Sequence, residues 1–138
     1  MIVLPGGNTR GRVVKKFSEL GPYLREQQCE QTFFFFDCLA VCIHANHPPD
    51  KREFWGWWLT LEAQQEQMIY HYYFGMYDKT GKWNKTAIRG QKVQQEVEKS
   101  LQLFFQRLLK LTVDLNIKIS PADEMNQNLL LTSSQFTE

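Results

Sequence analysis

At Gln91 the hydrophobic period of the chain changes. Downstream, Val93, Val97, Leu101, Phe104, Leu108, Leu111 and Leu115 step by four, four, three, four, three and four. Phe105 and Leu109 widen the stripe, which predicts an amphipathic helix of about 24 residues. A stripe that long must bury itself against a complementary apolar surface. The residues before Gln91 must supply it, and the helix should lie across one face of the sheet they form.

Those residues read as strands. Residues 32–44 are an apolar run rich in aromatic and β-branched side chains. Phe33, Phe35, Leu39, Val41 and Ile43 line one side, and Phe34, Phe36, Cys38, Ala40 and Cys42 the other. Apolar residues on both sides predict a central strand covered on both faces. Asp37 interrupts the run and requires a partner or an exit to solvent. A polar loop stiffened by Pro48 and Pro49 leads to a second strand over about 53–64, and Met68, Tyr70, Tyr72, Phe74 and Met76 alternate through a third. Asp78-Lys79-Thr80-Gly81-Lys82 is a turn, Trp83 begins a short fourth strand, and Ile117 and Ile119 add a short edge strand. Val13, Val14, Phe17 and Leu20 predict a short helix over about 10–20, capped by Asn8 or Thr9 and stopped by Gly21-Pro22. Residues 1–9 form a loose start, and the polar tail from about 124 frays. The fold class is α+β: an antiparallel meander of three to five strands packed by one long helix and short helices. One domain accounts for the 138 residues.

Within the second strand, Arg52-Glu53-Phe54-Trp55-Gly56-Trp57-Trp58 holds three of the four tryptophans. Alternation puts Trp55 and Trp57 with Leu59 and Leu61, and Phe54 with Trp58 on the opposite face. One core needs one apolar face. Trp55 and Trp58 are assigned to the core. For Arg52, Phe54 and Trp57 the residues alone leave two readings open, an internal packing role or a patch kept for a partner.

Composition excludes several functions. Hydrophobic residues make up 43% and aromatics 14%, which argues against disorder. Lys+Arg 16 against Asp+Glu 15 gives +1, so no global field holds the chain on nucleic acid or an anionic membrane; only Arg10, Arg12, Lys15 and Lys16 cluster locally. No run reaches the roughly 20 apolar residues of a membrane span, and the first residues lack a signal-peptide pattern. Three cysteines in no framework spacing fit free thiols in a reducing cytoplasm. Cys38, Cys42, His44 and His47 invite a zinc reading. On a strand, however, residues four apart lie about 13 Å apart, whereas sulfurs sharing one zinc lie within about 4 Å. No nucleophile elbow, P-loop or dinucleotide fingerprint is present, and Glu53 and Glu62 are too far apart along one strand for paired-carboxylate chemistry. The chain is therefore read as a binding protein, not an enzyme. Sheet aromatics also suit a module that stacks single-stranded nucleic acid or RNA, and that is the alternative, although the basic-Gly-aromatic-Gly pattern of such modules is missing.

Longer motifs carry a resemblance. Lys15-Lys16-Phe17, Leu20-Gly21-Pro22-Tyr23, the run from Phe34 to Cys42, Arg52–Trp58, Leu61-Glu62-Ala63-Gln64 and Pro121-Ala122-Asp123 resemble the Crl family of sigma factor-binding proteins of gamma-proteobacteria, over about residues 4–123. The resemblance implies a cytoplasmic transcription activator of the stationary-phase stress response. It would bind the sigma factor σS, mainly its domain 2, and favour assembly with core RNA polymerase. No cofactor, metal, membrane contact or sequence-specific DNA reading is implied. Matched to this sequence, the sigma-contacting positions are Tyr23, Arg52, Phe54, Trp57 and Trp83. The resemblance implies that loop 44–51 would border them and approach the polymerase. Because alternation separates Phe54 from Trp57, a shared patch requires a bulge or twist near Gly56, or a strand end that projects beyond the sheet; a flat regular strand with Trp57 buried counts against it.

Overall fold

The computed structural model describes residues 3–122; the predicted fraying tail lies outside them. Residues 3–9, expected as a loose start, are a small hairpin of β1 (Val3–Leu4) and β2 (Asn8–Thr9). It is fastened by Asn8, whose buried amide donates to the carbonyls of Pro5 at 2.9 Å and Leu115 at 2.8 Å. Thr9 then caps α1 (Arg10–Ser18) by accepting from the Arg12 N–H, and Val13 and Phe17 bury the same face of that helix completely.

The main sheet contains β3 (Phe33–Cys42), β4 (Phe54–Ala63), β5 (Gln67–Tyr77) and β6 (Trp83–Lys85), in that order and antiparallel. After α2 (Gln91–Asp114), β7 (Lys118–Pro121) returns to pair with β5 in parallel. The long helix has the predicted 24 residues. Its end is set by Asn116 at φ 59°, with Ile117 N–H donating to Thr112 O and Asn116 N–H to Val113 O. This is a Schellman closure with asparagine in the left-handed position, which it tolerates better than most side chains.

Both helices cover one face of the sheet. Phe34, Phe36, Trp57, Leu59, Leu61 and Met68 reach down from the strands to meet Phe17, Leu101, Phe104, Phe105 and Leu108, all of them buried. Edge-on ring pairs knit the layers, with Phe17 at 5.3 Å from Phe34 and 5.4 Å from Phe36.

Two expectations about β3 are corrected. It is an edge strand, not a central one. Its free edge, not its outer face, is covered by residues 23–30, which run alongside it: Arg25 N–H donates to Phe35 O, Asp37 N–H to Tyr23 O, Glu30 N–H to Phe33 O, and Phe35 N–H to the Cys29 thiol at 3.3 Å. Irregular chain thus shields an edge that the sequence pattern assigned to strands. Second, the β3–β4 register shifts between Leu39 and Val41, so Ala40 is an extra residue. Before the bulge Leu39 lies opposite Gly56; after it Val41 lies opposite Trp55 and Cys42 opposite Phe54. The bulge reverses the faces of Val41 and Cys42. It therefore puts Cys38 and Cys42 on opposite sides of the sheet rather than on the shared side expected. All three cysteines are free thiols.

Candidate partner-binding face

The sheet face turned away from the helices is aromatic. Strand pairing places Trp58 between Asp37 and Tyr73, and Tyr77 between Phe54 and Trp83. The rings run in contact from His71 to Tyr73 (6.3 Å), Trp58 (5.2 Å), Trp83 (4.9 Å) and Tyr77 (5.2 Å). All are half-buried. Lys85 sets its ammonium 4.2 Å over the Tyr73 ring. A cleft of about 570 Å³ opens beside this ladder, with Trp58, Tyr77 and Phe35 among its walls, Arg25 and Gln28 on one side and Gly81, Lys82 and Trp83 on the other.

Asp37 finds the partners its position requires. Its carboxylate accepts from Arg25 Nε at 2.6 Å and from Trp83 Nε1 at 2.9 Å. Gly56 makes room for the second bond. A Cβ there would stand 2.9 Å from the Trp83 ring and would collide with the Cys38 carbonyl, so the indole lies across β4 where other residues carry a side chain.

The turn before Trp83 is held by Asp78, whose carboxylate accepts from the Thr80 and Lys82 N–H groups and the Asn84 amide. Hydrogen bonds from the Thr80 and Asn84 side chains are the main causes that lower its pKa from 3.8 to about 2. The depressed value means that the turn is favoured by the charged carboxylate above the unfolded pKa, and that this contribution is lost as the pH falls toward 2. A carbon-detected titration should find Asp78 titrating near 2; an ordinary carboxylate value would contradict the turn geometry.

The five expected contact residues separate into two groups. Phe54 and Trp83 lie on the open face, either side of Tyr77, and both are half-buried. Arg52 sits two residues before Phe54, at the same end of β4. Its Nε donates to His47 O at 2.9 Å, which anchors the side chain on the exposed loop 44–51. Tyr23 and Trp57 belong to the helix side. The Tyr23 ring is half-buried and stacks 5.9 Å from Trp57, with Phe104 at 4.9 Å from each.

Trp57 is the correction of consequence. It is 0% exposed, and its indole N–H donates to Ser100 Oγ of α2 at 3.1 Å. The β4–β5 register is continuous from Phe54 to Ala63, so β4 has no bulge to bring Trp57 round to Phe54. The irregularity expected near Gly56 falls instead on the neighbouring strand at Ala40. Trp57 is therefore a core residue that supports Tyr23 from below, and Trp58, assigned to the core from sequence, stands in the open ladder. Arg25, Asp37, Tyr73 and Tyr77 were not singled out for the site. Alternation from Phe54 already led to Trp58, but the reach of Trp83 to Asp37 from β6 had no local signal.

The chain is thus a helix-backed sheet with one open aromatic face and cationic groups at its margins. Comparison with known proteins shows the family. The family model described as "Sigma factor-binding transcriptional regulator Crl" matches residues 2–129. A sigma factor-binding protein Crl from Photobacterium profundum is 43% identical over 121 residues, covering 87% of this chain and 90% of that protein. Proteins of the same description from Vibrio vulnificus and Vibrio cholerae serotype O1 are 40% identical over 114 and 102 residues, covering 83% and 74% of this chain and 87% and 78% of their own lengths. This chain belongs to the Crl family of sigma factor-binding transcriptional regulators. No described helix is long and apolar enough to cross a membrane.

Proposed function

We propose that this protein is a cytoplasmic transcription activator that binds domain 2 of the stationary-phase sigma factor σS through its open sheet face and promotes σS assembly with core RNA polymerase. The observation that carries the reading is the clustering of Arg52, Phe54 and Trp83 at one end of an aromatic ladder that neither helix covers. Phe54 and Trp83 offer apolar area, each burial contributing about 1.5–3 kcal/mol before the costs of association. Arg52, its Nε already fixed on the loop, presents the rest of its fork to a carboxylate of the sigma factor. Tyr23 adds a half-buried ring at the sheet edge, and Trp57 holds that ring in place rather than touching the partner. Loop 44–51 adjoins Arg52 and supplies the polymerase contact.

Activation then requires only differential binding. A surface that prefers the polymerase-competent conformer of σS by about 1.4 kcal/mol raises its assembly tenfold. No catalysis is involved. The ladder rings largely face one another, which leaves fewer open ring faces for nucleobases and favours a protein partner over the single-strand reading.

Calorimetric titration of σS domain 2, and separately of the equivalent domain of the housekeeping sigma factor, tests this reading. Saturable binding to the first and at least tenfold weaker binding to the second is the expected result. Equal affinity for both removes the specificity, and retention on single-stranded DNA that weakens steeply with salt favours the nucleic-acid alternative.

A further inference from the structure

We infer that Asp37 is the positioning residue of the partner face, holding Trp83 and Arg25 in the orientation that the partner meets. The inference deepens the sigma-binding reading and rests on it. Asp37 is the one buried carboxylate among the described residues, 6% exposed in the middle of β3. Such a group is costly to bury unless both oxygens are engaged. Here each oxygen has its own donor: Oδ1 takes Arg25 Nε at 2.6 Å and Oδ2 takes Trp83 Nε1 at 2.9 Å.

Those donors come from opposite edges of the sheet. Arg25 belongs to the segment beside β3, and Trp83 opens β6, beyond β4 and β5. β6 is three residues long and, among the described residues, pairs with β5 alone. Its backbone places the start of the Trp83 side chain but does not choose where the ring lies. The bond to Asp37 does: it draws the indole across the sheet over Gly56 and against Trp58. With Nε of Arg25 committed to Asp37, that guanidinium is turned toward the cleft as well. One carboxylate thus sets a ring and a cation on the two flanks of the same surface, before any partner arrives.

The test uses indole N–H signals of the free, full-length protein labelled with 15N, followed by titration with σS domain 2. Asp37→Asn keeps the shape but offers one acceptor oxygen where two were used. The Trp83 indole signal should shift and exchange faster with solvent. The Trp57 signal, bonded to Ser100 on the other face, should stay in place and so report an intact core. Affinity should fall about tenfold in Asp37→Asn, and the same substitution in a Trp83→Phe background should add less than about twofold. An unmoved Trp83 signal, or losses that add in full, overturns the positioning role. A wild-type protein without affinity for σS domain 2 overturns the sigma reading and the positioning role with it, while the free-protein spectrum still decides the bond.

Discussion

Trp57→Ala should lower the unfolding free energy by about 3–5 kcal/mol, the usual cost of deleting a large ring from a close-packed site. Trp57 is fully enclosed, touches the rings of Tyr23 and Phe104, and spends its N–H on Ser100. Alanine would leave a cavity and remove the donor to Ser100 together. Against a total stability of about 5–15 kcal/mol for a domain of this kind, that is a large fraction. Trp57→Phe, which keeps a ring and loses the indole N–H, should cost about 1–2 kcal/mol. Urea denaturation measures both. Loss of sigma binding in Trp57→Ala is expected to follow the loss of structure, so affinity must be measured where the variant is still folded. A Trp57→Ala protein of wild-type stability that no longer bound its partner would restore Trp57 as a contact and contradict its placement in the core.

The opposite pattern is expected at Phe54 and Arg52. Phe54→Ala should weaken binding to σS domain 2 by about 2 kcal/mol, roughly thirtyfold, as expected for an anchor that fills a partner pocket. Arg52→Ala should cost about 1–2 kcal/mol at low salt and less at high salt, since a rim charge is screened. Neither should change the midpoint of urea unfolding by much: both are only half-buried, and among the described residues the Arg52 side chain hydrogen-bonds to the His47 carbonyl alone. Unaltered affinity in both variants would remove this end of β4 from the interface.

The contrast between Trp57 and Phe54 marks how far local pattern reaches. The stripe from Val93 to Leu115 gave α2 its length, because a helix repeats every 3.6 residues and its face is written into consecutive positions. Alternation likewise placed Trp57 with Leu59 and Leu61, and Phe54 with Trp58, as observed. The contact positions implied by family resemblance conflict with that alternation: they group Phe54 with Trp57, which leaves Trp58 for the inside. A residue on which binding depends need not touch the partner, and on the proposed reading a buried ring beneath Tyr23 would be such a residue. β3 misled for a different reason. Apolar residues do stand on both its faces, but one of those faces stays open, and what lies beside the strand is irregular chain at 23–30 along its edge, which has no period to read.

By itself, the sequence determined the α+β class, the order and type of the main elements, the single long helix and the family, because each is carried by spacing along the chain or by motifs of adjacent residues. Only the tertiary structure decided which aromatic face stays open, where the bulge falls, and that Asp37 joins Arg25 to Trp83. Those depend on strand order and on a one-residue shift at Ala40, which turns Val41 and Cys42 to the other side. Residues 46 apart in the chain meet through the strands between them, and no local period records such a meeting.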